Sequence, residues 1–143
     1  MQSLSPRLAA VLEALPLRPG LRVLEIGCGP GALARAMAER IGDGHVLAID
    51  RSAKAIEQLK AGCAALIDAG HLAGRVVSAE DFVLERGELS FDIAVAIRVG
   101  ALDGRHPAAG KMALRAIAAA LSPGGRLFID GGDPLRELDL PRP

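Results

Sequence analysis

Short apolar bursts, set apart by helix-length amphipathic stretches, constrain this chain more than any other feature. The bursts run from Arg22 to Ile26, Val46 to Ile49, Arg75 to Ser78, Phe91 to Ile97 and Arg126 to Ile129. Each is too short for a helix and apolar on both sides, as a strand covered on both faces must be. Between them the spacing turns helical. Ser5 caps a first helix with Pro6 at its first position, and Leu8, Val11, Leu12 and Leu15 share one face. A second helix runs from about Gly31 to Ile41. A third follows Ser52 and keeps Ile56, Leu59, Cys63, Leu66 and Ile67 on one face until Gly70. A fourth opens at Pro107 and carries Leu114, Ile117 and Leu121, after which Pro123-Gly124-Gly125 reads as a turn. Right-handed crossovers between such strands give a Rossmann-like, doubly wound, mainly parallel α/β sheet of about five strands with helices on both faces. Ligands on sheets of this kind bind beyond the carboxyl ends of the strands, where the strand order reverses.

Length and charge narrow the remaining possibilities. A chain of 143 residues suits one domain, and at that size it buries roughly 70% of its unfolded surface without staples. Half the residues are hydrophobic, which excludes disorder, and 17 basic residues balance 17 acidic ones. Zero net charge speaks against nucleic acid, whose binding needs a basic excess. Two cysteines, Cys28 and Cys63, are too few for a disulfide framework and suit a reducing cytoplasm. The longest stretch without a charge, Ala116 to Gly125, has ten residues, far below the ~20 of a spanning helix. Leu8 to Leu12 lacks a basic flank and is interrupted by Glu13, so no signal peptide is expected. With no Trp or Tyr and three Phe, a ligand here is held by backbone and aliphatic surface.

The chemistry is concentrated after the first strand, in Glu25-Ile26-Gly27-Cys28-Gly29-Pro30-Gly31. Glycines let the backbone take positive φ and approach a ligand closely, and the following helix adds free N–H groups. Nineteen residues beyond Gly31, the second strand ends at Asp50, a carboxylate able to accept both hydroxyls of a ribose. Gly27, Gly29 and Ala32 also satisfy the dinucleotide pattern, so a nicotinamide cofactor is an alternative. Glu25 weighs against it. A carboxylate at the strand end is a poor neighbour for a pyrophosphate and a good one for a cationic ligand. S-adenosylmethionine (SAM), with a sulfonium, an amino group and no phosphate, fits that requirement.

Val23 to Gly31 resembles the first motif of class I SAM-dependent methyltransferases, acid-x-Gly-x-Gly-x-Gly. Ala48 to Ser52 is similar to the second motif, Ser78 to Asp81 to the third, Phe91 to Val95 to the fourth strand, and Leu121 to Leu127 to the turn into the fifth. The resemblance covers roughly residues 17 to 130 in order. It implies transfer of a methyl group from SAM, with cofactor contacts at Glu25, Gly27, Cys28, Gly29, Gly31, Asp50, Arg51, Ser78, Ala79, Glu80 and Arg98. Within that set Glu25 would order the loop and the amino group, the glycines would back the methionine part, and Asp50 would take the ribose. For Glu80 and Asp81, helix capping before Phe82 is the competing role.

Two departures shape the remaining expectations. The family continues beyond the fifth strand to seven strands, whereas here room remains for one short element. The fifth strand would then be a sheet edge, to be covered by a homodimer contact or by the tail from Leu135 to Leu140. No Asn-Pro-Pro-Tyr follows the fourth strand, where Arg98-Val99-Gly100-Ala101 stands, which favours a small-molecule acceptor over DNA bases. Methyl transfer needs alignment and, for a hydroxyl or ammonium acceptor, a base. The loops after strands four and five hold Arg98, Asp103, Arg105, His106, Asp130 and Asp133, of which Arg98 could hold an anionic acceptor, although a surface arginine after a strand is commoner. His106 is the natural base by its pKa, although its place before Pro107 also suits helix capping. Cys28 reads as a small filler rather than a reactive thiol, and no residue cluster has metal-ligand spacing. A SAM-binding module without its own chemistry, or one subunit of a heteromeric enzyme, is the reading from another class.

Overall fold

The computed structural model describes residues 4–102 and 104–141. Helix α1 (Pro6–Ala14) is capped by the Ser5 hydroxyl, which accepts the Leu8 N–H. Strand β1 (Arg22–Ile26) leads through the glycine loop into α2 (Ala32–Ala38) and β2 (His45–Asp50). The third amphipathic stretch breaks at Cys63, whose φ of −124° leaves the helical region, giving α3 (Ala53–Gly62) and α4 (Ala64–Asp68). Strand β3 (Leu72–Val76), a 3-10 turn at Ala79–Asp81, β4 (Phe91–Ala96), α5 (Pro107–Ala120), β5 (Leu121–Asp130) and β6 (Leu135–Leu138) complete the order.

The sheet runs β3-β2-β1-β4-β5-β6, parallel except for β6, which lies antiparallel against β5. The strand order therefore reverses between β1 and β4. On one face Val23, Val46, Ala48, Ile93 and Val95 pack under α1, α2 and α3. On the other, Leu24, Leu47, Ile49, Ala94, Leu127 and Ile129 pack under α5 and Phe82. The alternation along β1 decides which side chains meet which layer, since successive residues point to opposite faces. Glu25 consequently belongs to the α1–α3 layer.

Three expectations change. The sheet has six strands, and β5 is not an edge. Leu127 to Asp130 pair with Leu138 to Leu135, so the tail takes the place that a homodimer contact through β5 would need. Strand β3 starts three residues earlier than expected, because Leu72 is the buried anchor while Val76 is 52% exposed at the sheet edge. The Pro123-Gly124-Gly125 turn becomes a bulge inside β5. Phe91 pairs with Leu121 and Ile93 with Arg126, so two steps along β4 match five along β5. Among the described residues, no helix is long and apolar enough to cross a membrane.

Candidate functional site

The end of β2 fastens the glycine loop before any ligand arrives. The Ile49 carbonyl accepts the N–H groups of both Gly27 (2.9 Å) and Cys28 (3.0 Å). Asp50 then takes the Gly29 N–H on Oδ2 and the Ser52 N–H on Oδ1, each at 2.9 Å. A carboxylate oxygen has two lone pairs, so each retains acceptor capacity. Gly27, Gly29 and Gly31 all have positive φ, at 69°, 56° and 96°, which a side chain would strain. Their surroundings differ. A Cβ on Gly31 would lie 2.8 Å from the Leu59 side chain, and one on Gly27 2.9 Å from Val99. On Gly29 it would meet no protein atom within 4 Å.

A cavity of about 580 Å³ opens at the carboxyl ends of the strands. Its walls bring together Gly27, Asp50, Arg51, Ser78, Ala79, Glu80 and Arg98 of the expected cofactor residues, with Arg105, His106 and Ala109 facing them. Glu25, Cys28, Gly29 and Gly31 do not line it. Gly31 fits under Leu59, and Cys28 is 7% exposed with its thiol donating to the Gly29 carbonyl. Burial, then the negative charges of Glu25 and Asp50, push the Cys28 thiol above its ordinary value, so it is an inert filler.

Glu25 lies between Ala48 and Val95 of the flanking strands and is the one buried charged side chain among the described residues. It is 3% exposed, and its Oε1 has no hydrogen-bond partner. Burial, reinforced by the Asp50 charge, pushes its pKa up to about 8. An orphaned carboxyl group just beneath the loop fits a cationic ligand above it.

Ser78 donates its hydroxyl to Asp81 Oδ2 (2.9 Å), so Asp81 shapes the 3-10 turn while Glu80 reaches the cavity wall. His106 is the N-cap residue of α5, yet its ring makes no capping hydrogen bond and faces the cavity. Asp130 accepts the Arg98 N–H on Oδ1 (3.1 Å) and so secures the turn after β4. Asp103 lies outside the described residues. At the opposite end of the sheet, Asp92 accepts the Arg22 N–H (2.9 Å), and the rings of His45 and His71 bond the Gly70 and Gly44 carbonyls. Those residues are structural. No His, Cys, Asp and Glu grouping among the described residues could hold a metal ion.

The loop–carboxylate arrangement has its counterpart in sequence. The family model described as a methyltransferase domain matches residues 23–125, from β1 into the bulge of β5. The chain belongs to the methyltransferase domain family. It is 33% identical over 129 residues to a ubiquinone biosynthesis O-methyltransferase from Xanthomonas campestris pv. campestris, covering 90% of this chain and 50% of that one. It is 36% identical over 126 residues to a protein-L-isoaspartate O-methyltransferase from Methylorubrum populi, covering 88% and 52%. This methyltransferase-family chain therefore spans about half the length of those relatives. Among solved structures, it superposes on a SAM-dependent methyltransferase from Thiobacillus denitrificans in complex with S-adenosyl-L-homocysteine. The TM-score is 0.67 at 28% identity, covering 87% of this chain and 48% of that one.

What the sequence did not single out is the close packing of the wall opposite the glycine loop. Gly100, Ala101 and Ala109 carry no chemical signature, and their role comes from close approach. A Cβ on Gly100 would lie 3.1 Å from the Arg105 guanidinium and 3.3 Å from the His106 ring. A Cβ on Gly110 would lie 2.4 Å from the Ala101 carbonyl oxygen.

Proposed function

We propose that this chain binds SAM over the glycine loop and passes its methyl group to a small acceptor seated between that loop and α5. The observation that carries the reading is the Asp50 carboxylate. It is fixed at the cavity wall by two main-chain N–H groups and has acceptor capacity left for a ribose. Gly27 and Gly29 supply close backbone approach, and the space open at Gly29 suits a ligand lying against it. Glu25, protonated up to about pH 8 in the free chain, stabilises a cation bound over the loop by giving up that proton, while Ser78, Ala79, Glu80 and Arg51 form the remaining cofactor wall. SAM, when bound, supplies a methyl carbon already activated by its sulfonium. The residues of this chain contribute alignment, the main requirement of such a displacement.

His106 is the group we assign to take the acceptor's proton. Its position on the cavity wall and its ring free of a capping bond support that role. The names of the relatives favour oxygen as the methylated atom, and the balanced charge favours a small acceptor. Two free, buried cysteines support a cytoplasmic site of action.

Calorimetric titration with SAM and with S-adenosylhomocysteine tests the reading. Replacing Asp50 by Ala leaves the Gly29 and Ser52 N–H groups and the ribose without their acceptor. Affinity should fall by ~1–3 kcal/mol, or about 5- to 150-fold. Unchanged affinity in the variant would overturn the assignment. SAM binding with no transfer until a partner protein is added would favour a subunit of a heteromeric enzyme.

A further inference from the structure

One residue on the cavity wall holds a backbone conformation that its side chain does not favour. Arg98 has φ of 60°, and it alone among the described non-glycine residues has positive φ. Glycine would occupy this turn without strain, and such outliers concentrate where a side chain serves a function. The turn is well secured. Asp130 Oδ1 holds the Arg98 N–H, the Val99 carbonyl accepts the Leu102 N–H at 3.0 Å, and Leu102 is buried against the α5 layer.

Between Arg98 and Ala109, Arg98 and His106 bring a guanidinium and an imidazole to the cavity wall, while Asp130 holds the Arg98 main chain. Gly100 lets the Arg105 and His106 side chains lie against the main chain two residues beyond Arg98. The first turn of α5, which reaches the same wall at Ala109, contains no acidic residue. Among the described lining residues, the carboxylates Asp50 and Glu80 stand on the opposite wall, where Asp50 already holds the glycine loop.

We infer that the acceptor carries an anionic oxygen group, a carboxylate or a phosphate monoester, and that Arg98 anchors it. The inference rests on the SAM-dependent reading only in naming that anion as part of a methyl acceptor. Arg98 thereby becomes a specificity residue for the acceptor and not a contact of the cofactor. A planar guanidinium suits either oxyanion, because it can donate two parallel hydrogen bonds.

The test is an NMR titration of the full 15N-labelled chain with inorganic phosphate, with acetate, and with neutral acetamide. Ionic strength is held constant, and each series is run with and without saturating S-adenosylhomocysteine. The expected result is saturable shifts at the amides of Arg98 to Ala101 and Ala109 with at least one anion and none with acetamide. Arg98→Gly, which removes the guanidinium and relieves the turn, should fold normally and weaken that binding about tenfold. Arg98→Lys should fall between the two. The same variants should bind S-adenosylhomocysteine as the parent does. Absence of saturable shifts with both anions would overturn the inference, as would anion binding that survives Arg98→Gly. A parallel loss of S-adenosylhomocysteine affinity would return Arg98 to the cofactor wall and equally overturn it. Failure of the parent chain to bind S-adenosylhomocysteine would strike the proposed function alone, since the anion series without it still reads the Arg98 site.

Discussion

The two walls of the cavity are built by different physics. The β1–β2 wall is a hydrogen-bonded assembly of short-range parts, in which Ile49 and Asp50 accept four N–H groups from Gly27, Cys28, Gly29 and Ser52. On the β4–α5 wall Asp130 accepts the Arg98 N–H, and the Val99 carbonyl accepts the Leu102 N–H within the turn. That wall depends otherwise on tight packing, with Gly100 beneath Arg105 and His106, and Gly110 against the Ala101 carbonyl. The first wall is preorganised by the main chain and suits a ligand shared across a family. The second is shaped by side chains on a strained turn, the place where acceptors can differ. One polar group breaks the pattern on the first wall: Glu25, buried without a partner for Oε1.

That exception gives the largest expected effect. The folded chain holds the Glu25 proton up to about pH 8, whereas an ordinary glutamate releases it near 4.5. In that window the folded state binds more protons than the unfolded one, so this group's contribution to stability falls as pH rises from about 4.5 to about 8. The full loss is on the order of 5 kcal/mol. Glu25→Gln should remove this slope and be the more stable form at pH 8, measured by urea unfolding across the range. Parallel pH profiles for parent and variant would mean that the carboxyl group is solvated or paired after all.

The next effect belongs to the other wall. Gly110→Ala places a methyl group against the Ala101 carbonyl and should cost ~1–3 kcal/mol of stability through overpacking. Because the strain falls on the β4–α5 wall, affinity for S-adenosylhomocysteine should survive in the folded variant. Loss of cofactor affinity comparable to that of an Asp50 variant would erase the division between the walls.

Gly29→Ala is a milder change on the first wall. The methyl group meets no protein atom, so its cost in the free protein is the left-handed backbone alone, about 1–2 kcal/mol. The added loss should fall on cofactor binding. A variant of normal affinity would show that the ligand does not lie against this part of the loop. The smallest effect is that of Arg98→Gly on stability. Relief of the turn and the greater freedom of the unfolded chain nearly cancel, leaving a net gain of at most ~1 kcal/mol by thermal unfolding. A loss above that size would show that the Arg98 side chain holds the turn together.

The same division explains what could be read from the sequence. The glycine loop, Asp50 and the alternation of strands and helices are local signals, and they located the sheet and the first wall, while the reversal between β1 and β4 emerges only from the strand order. Strand β6 was not legible as a strand, because Leu135 and Leu138 frame an Arg–Glu pair and its stability comes from pairing with β5, including the Arg126–Glu137 ion pair. Strand β3 was misplaced because Val76-Val77-Ser78 imitates a core strand, while the buried Leu72 precedes a glycine. The roles of Gly100 and Gly110 depend on close approaches that no local pattern announces. The contacts that Cys28 and Gly31 make within the chain, the thiol to the Gly29 carbonyl and the glycine beneath Leu59, likewise have no local signature.

The central claim is that the first wall is a SAM site, and thermal unfolding with saturating SAM, S-adenosylhomocysteine or NAD tests it most directly. A ligand at 100 times its Kd adds ~2.7 kcal/mol, which for a chain of this size raises the midpoint by roughly 5–15 °C. That rise is expected with SAM and with S-adenosylhomocysteine and none with NAD. No rise with either sulfur compound, or a rise with NAD, would contradict the claim.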